Sequence, residues 1–218
     1  MMLRILFLAP FAAGLASLGI SSPRVRRRLI TIVSFFHLAC TLIVWRTGFE
    51  PSAGRWIGLD ALSMLFLLIT SVLFASSSFA TVAYLRGHEL PVESRGRFSR
   101  EAVFTCAMLF FLGTTTLAIL SLHTGVFWMA IEATTLASAP LISYQRSSRS
   151  LEATWKYLLI CSVGIAIALV GNTALAVSVA FDPATYGLPM TFRDLAERAV
   201  SLNPVWLKVA FALILVGY

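Results

Sequence analysis

The chain has 218 residues, 58% of them hydrophobic and only 12% charged, with a mean hydropathy of +0.85. About a quarter of a soluble domain is charged, so this composition argues against a water-soluble globular fold. The formal charge of +7 does not point to nucleic acid, because the basic residues gather in the gaps between apolar runs, as they do in membrane proteins.

Those runs predict an all-α, polytopic membrane protein, since a bilayer-spanning helix needs about 20 mostly apolar residues. The spans fall near 3–21, 29–46, 59–85, 101–121, 124–143 and 155–179. The opening "MMLRILFLAPFAAGLASLGISS" has the look of a signal peptide, but "RVRRR" follows at once and would hinder export. An uncleaved first helix is the better reading. The third run is long enough to tilt. Between the sixth run and Pro204, "TFRDLAERAV" fits a short amphipathic helix at the surface.

A seventh run, "PVWLKVAFALILVGY", starts at Pro204 and has no polar tail. It is too short for a comfortable span, which predicts an N-terminal part of a longer protein.

Lysine and arginine placement sets the orientation. The gaps after helices one, three and five hold Arg24, Arg26, Arg27, Arg28, Arg86, Arg95, Arg97, Arg100, Arg146 and Arg149, with Lys156 at the foot of helix six. The opposite side has Arg4, Arg46, Arg55, Arg193, Arg198 and Lys208. The bias alternates loop by loop and puts the N-terminus outside.

"GVFWMAIEATTLASAPLI" is the run with a carboxylate near its middle, Glu132. An acidic side chain at that depth costs about 2.5–3.5 kcal/mol on insertion scales, so it faces protein or water rather than lipid. A carboxyl there is a candidate proton acceptor and donor, set against the simpler role of pinning helices together. Thr135 lies one turn away on the same face, and Trp128 and Gly125 share that face. Thr134 and Ser138 add hydroxyls, and Pro140 removes a helical N–H.

Lys156 stands near the cytoplasmic boundary of the next helix. It is either an orienting, snorkelling residue or a modulator of Glu132, and Glu152 is placed to pair with it at i, i+4. Gly164, Ala168 and Gly171 form a small-residue stripe for close helix packing. His123 opens helix five and is a proton-switch candidate, as is His37 inside helix two, although each also suits a plain hydrogen-bonded role. His88, Glu50 and Asp60 fit solvated loops and boundaries, and Asn172 suits interhelical glue. Cys40, Cys106 and Cys161 are widely spaced within apolar runs and read as small buried hydrophobes. No phosphate loop, dinucleotide fingerprint or zinc spacing appears, and no residue set implies a metal or cofactor.

The segment "WMAIEATTLASAPLISYQRSSRSLEATWKYLLICSVGIAIALVGNTAL" resembles the antiporter-like membrane subunits of respiratory complex I, hydrogenase-4 and formate hydrogenlyase. Trp128, Glu132, Thr134, Thr135 and Leu136 match the family's glutamate helix, and Glu152, Ala153, Lys156 and Tyr157 its helix-six lysine. The likeness is strong over Gly125–Ala174 and in "WLKVAFALILVGY", and weaker from Met1 to Gly96. It implies a proton-translocating subunit with two inverted repeats, each with a broken helix, and a mid-membrane charged axis.

By this match, residues 1–121 are the N-terminal helices and 122–218 begin the antiporter-like unit. Glu132 pairs with a lysine and Lys156 is a secondary member of the network, with Thr135 and His123 as further candidates. The family's central lysine would come just after Tyr218. The implied partners are other integral membrane subunits, a peripheral electron-transfer arm and the lipid bilayer, in a bacterial or archaeal cytoplasmic membrane. The chain itself would be a non-redox subunit of an oxidoreductase complex. Two other readings are an independent cation/proton antiporter and a non-catalytic scaffold.

Overall fold

A computed structural model describes residues 2–48, 56–87, 99–180 and 190–218. Eight α-helices occur among them: α1 Met2–Gly19, α2 Pro23–Thr47, α3 Ala61–Gly87, α4 Arg100–Leu120, α5 Thr124–Ile142, α6 Ser148–Ala180, α7 Phe192–Glu197 and α8 Pro204–Gly217. The first six are long and apolar enough to cross a membrane. The chain is thus the all-α, polytopic helical type that its hydropathy predicts. The predicted surface helix is α7, capped by Thr191, whose hydroxyl accepts from the Asp194 N–H. Arg55, Glu50, His88, Arg95 and Arg97 lie outside the described residues.

Two boundaries differ from the sequence expectation. Helix α2 begins at Pro23, not near residue 29, so Arg24, Arg26, Arg27 and Arg28 belong to its first two turns rather than to a loop. Proline at the first helical position has the right φ and needs no N–H, and from within the helix Arg26 reaches Ile20 O and Arg27 reaches Glu101. Helix α6 begins at Ser148, not near 155. Its 33 residues span about 50 Å, more than the roughly 30 Å hydrocarbon core. Lys156 therefore sits in the third turn, not at the foot.

Helix α4 is the most buried of the six and packs against α1, α2, α3 and α5. Large apolar side chains cover the outside, among them Ile32, Leu73, Ile160 and Phe211, while Ser17, His37, Thr41, Ser71, Ser78, Thr105 and Thr116 are buried. Most of these hydroxyls bond the carbonyl three or four residues earlier, for example Ser34 to Ile30 O and Thr116 to Leu112 O. That local bond is how a hydroxyl is satisfied where no water is present. Arg27 on α2 holds Glu101 on α4 through Nε–Oε1 at 3.0 Å and Nη2–Oε2 at 3.3 Å.

At the opposite end the α4–α5 turn is clamped on both sides. Gly58 N–H donates to Leu120 O and Leu122 N–H to Trp56 O. Thr124 N–H donates to Met190 O and Phe192 N–H to Leu122 O. These bonds form two isolated antiparallel bridges, Ile57 with Ser121 and His123 with Thr191, and fix where α5 starts.

The predicted small-residue stripe is the seam between α6 and α8. Gly164 faces the Gly217 carbonyl and Gly171 faces Ile214, so closely that a Cβ on either would lie 2.9 Å from backbone.

Candidate functional site

Glu132 is the ninth of the 19 residues in α5, about 12 Å along its axis. The helix is built to carry it. His123 caps the start, its Nδ1 accepting from Gly125 N–H at 3.1 Å, and its ring stacks on Trp56 at 5.0 Å. Val126 and Ala130 are buried in a helix packed between α4 and α6. The helix continues past Pro140 to Ile142.

Two side-chain bonds set the register of α5 against α6. Trp128 Nε1–H donates to Ile165 O at 3.0 Å, and Ser138 Oγ meets Tyr157 Oη at 2.6 Å. Glu132 lies between Trp128 and Ser138 along α5, and its Oε2 is buried with no hydrogen-bond partner among the described residues. Arg26 Nε, Thr105 Oγ1 and Thr115 Oγ1 are buried without a partner as well, and Glu132 is the carboxylate of the four, able to take a proton or accept from a donor. Below it, Thr135 Oγ1 donates to Glu132 O at 2.7 Å and Ser138 Oγ to Thr135 O at 2.8 Å. The Thr135 and Ser138 hydroxyls are thus held by backbone carbonyls, and of these three residues Ser138 and Tyr157 meet hydroxyl to hydroxyl. Thr134 turns to its own helix, bonding Ala130 O.

Glu132 and Lys156 are not brought together. The residue after Lys156, Tyr157, meets Ser138, which lies about 9 Å along α5 from Glu132. The Lys156 Nζ instead reaches Glu152 Oε1 at 2.5 Å, and both side chains are more than half exposed. Their neighbours Trp155, Leu159 and Ile160 are exposed too, so this ion pair stands on an apolar face of α6. His123 lies about 14 Å from Glu132 along the axis and serves as a cap. Asn172 meets Tyr218 through a long 3.5 Å contact.

An apolar cavity of about 290 Å³ lies among α5, α6, α7 and α8, lined by Phe127, Leu175, Leu195, Leu202 and Tyr218 among others. Glu132 is not in its wall. No group of three His, Cys, Asp or Glu side chains that could hold a metal converges among the described residues.

Two polar features escaped the sequence. Tyr157 meets the Ser138 hydroxyl only through its contact across the helix pair. His37 is buried, with Nδ1 2.9 Å from Ser71 Oγ and Nε2 3.0 Å from Thr116 Oγ1. Thr41 Oγ1 lies 2.9 Å from the same Ser71 oxygen. The knot joins α2, α3 and α4, and nothing in local spacing announces it.

Fold and composition define a multi-pass helical membrane protein with an acidic residue, its Oε2 buried, at the middle of one helix. No protein-family model matches the chain. It is similar to the hydrogenase-4 component F homolog of Methylacidiphilum infernorum, at 28% identity over 211 residues, which is 97% of this chain and 44% of that protein. Its fold is similar to that of a chain of respiratory complex I from Thermus thermophilus, with a TM-score of 0.71 and 20% identity over 100% of this chain and 43% of that one. It is also similar to a chain of the membrane-bound sulfane sulfur reductase, an archaeal respiratory membrane complex, with a TM-score of 0.76 and 17% identity over 99% of this chain and 43% of that one. The chain is therefore related over nearly its whole length to the hydrogenase-4 component F homolog and shares the fold of one chain from each of the two respiratory complexes, as the glutamate-helix resemblance implies. It spans less than half the length of each.

Proposed function

We propose that this chain is part of a proton-translocating membrane subunit of a redox-driven respiratory or hydrogenase-type complex in a bacterial or archaeal cytoplasmic membrane, and that Glu132 takes up and releases the proton. The observation that carries this reading is the buried, partnerless Oε2 of Glu132 at the middle of a membrane helix. A carboxylate oxygen left unmet in a dry interior costs about 1–3 kcal/mol, which a proton on that oxygen or a donor brought to it would remove. The likeness to a hydrogenase-4 component and to chains of respiratory complexes supports the class.

Thr135, Ser138 and Tyr157 are the hydroxyls between Glu132 and the arginine-rich end; a proton passing that way would require the Thr135 and Ser138 hydroxyls to turn from the carbonyls they bond. Lys156 with Glu152 is the charged pair offered to a neighbouring membrane subunit. Electrons would be carried by partner subunits, and 122–218 would be the start of the translocating unit.

The test is Glu132→Gln in the assembled complex, reconstituted in vesicles. Proton movement per electron should fall while assembly and electron transfer persist, and Glu132→Asp should restore part of it. An unchanged ratio in the Gln variant would refute the reading.

A further inference from the structure

We propose that the arginine-lined groove between α2 and α3 binds the phosphate headgroup of an anionic phospholipid. A cavity of about 420 Å³ opens there, walled by Arg24, Arg27, Arg28 and Arg86. It is of the size that holds a small polar ligand. Three of the four arginines come from the first two turns of α2, where the helix dipole is itself positive, and no acidic residue stands in the first turn to offset them. Arg27 is engaged by Glu101, and the neighbouring Arg26 is buried and donates to Ile20 O. Arg24, Arg28 and Arg86 have no ion-pair partner among the described residues. Like charges converging on one cavity call for an anion, and guanidinium groups match a phosphate's geometry by paired N–H donors.

The rest of the lining decides which anion. The Thr31 hydroxyl turns to Arg27 O at 3.4 Å, and Ile32 and Val82 form an apolar floor. The floor runs on along the outside of the helix pair, where Phe35 of α2 and Phe79 of α3 meet edge to face at 5.7 Å. Ile32, Phe35 and Phe79 are all exposed. A phosphate at the arginines with acyl chains laid along this seam satisfies both halves of the site; free phosphate would use only the upper half. Basic pockets between membrane helices at such a boundary suit anionic headgroups, with each arginine near the surface contributing about a fivefold gain in binding.

Native mass spectrometry of the purified full chain in detergent, equilibrated with dioleoylphosphatidylglycerol or dioleoylphosphatidylcholine, tests this. The phosphatidylglycerol adduct should be retained and the phosphatidylcholine adduct lost. Arg24→Gln, Arg28→Gln and Arg86→Gln should each lower retention about fivefold, and the triple variant should abolish the preference. The triple Arg4→Gln, Arg46→Gln, Arg198→Gln, which removes the same charge elsewhere, should keep it. Equal retention of the two lipids, equal loss in both triple variants, or displacement by millimolar inorganic phosphate would overturn the proposal. If the groove triple variant fails to fold, the single Arg86→Gln variant decides the question.

Discussion

Replacing His37 with Leu should loosen the contact of α2 with α3 and α4 by a modest, calculable amount. His37 contacts hydroxyls on two other helices, Ser71 at 2.9 Å and Thr116 at 3.0 Å. Neither hydroxyl is stranded when the ring goes, because Ser71 still donates to Leu67 O and Thr116 to Leu112 O, each at 2.7 Å. With both hydroxyl protons held by those carbonyls, a neutral ring donates through one nitrogen only, so the cost is about one interhelical bond, without a desolvation penalty. Such bonds average about 0.6 kcal/mol and reach about 1.7. The expected loss is about 0.6–1.7 kcal/mol, read from the midpoint of denaturant unfolding in mixed micelles. A double-mutant cycle with Ser71→Ala should show coupling of about 0.6 kcal/mol. Ser34→Ala, which removes only a bond to its own helix, should be nearly silent. A His37→Leu loss above about 4 kcal/mol, or none, would refute this account of the knot.

Gly171→Ala places a methyl 2.9 Å from the Ile214 backbone nitrogen and should cost about 1–3 kcal/mol by overpacking; the change in thermal midpoint reads it. Asp60 accepts from the Ser63 N–H at 2.6 Å just before α3. That backbone bond first, then the Ser63 hydroxyl, holds its carboxyl below the usual range against a smaller effect of burial. Because the folded value is lowered, the stabilisation is present at neutral pH and lost as pH falls below about 3.9. Asp60→Asn should therefore flatten the acid limb of the stability curve. Lys156→Met removes an exposed i, i+4 pair and should change chain stability by less than about 1 kcal/mol. In the assembled complex it should lower proton movement, and equal movement would reduce Lys156 to an orienting charge.

The sequence made Glu132 conspicuous because one carboxylate interrupts a long apolar run, and depth alone gives that a meaning. The seam of Gly164, Ala168 and Gly171 was legible for a related reason, since helical spacing puts small residues on one face. The start of α2 was not. Four arginines look like a loop in a hydropathy window, yet their charged ends reach water, a carbonyl or Glu101 from within a helix. The polar start of α6, "SRSLEAT", hid seven helical residues in the same way. The His37 knot and the Arg27–Glu101 pair were beyond reach because their partners lie 34, 79 and 74 residues away, and only tertiary packing brings them together.

The central claim is that Glu132 changes its proton occupancy as the assembled complex works. Infrared difference spectra of the intact complex, resting against turning over, report that directly through the protonated-carboxyl stretch. The account predicts a band that changes during turnover and is missing from the Glu132→Gln variant. Identical difference spectra for the two proteins would contradict it.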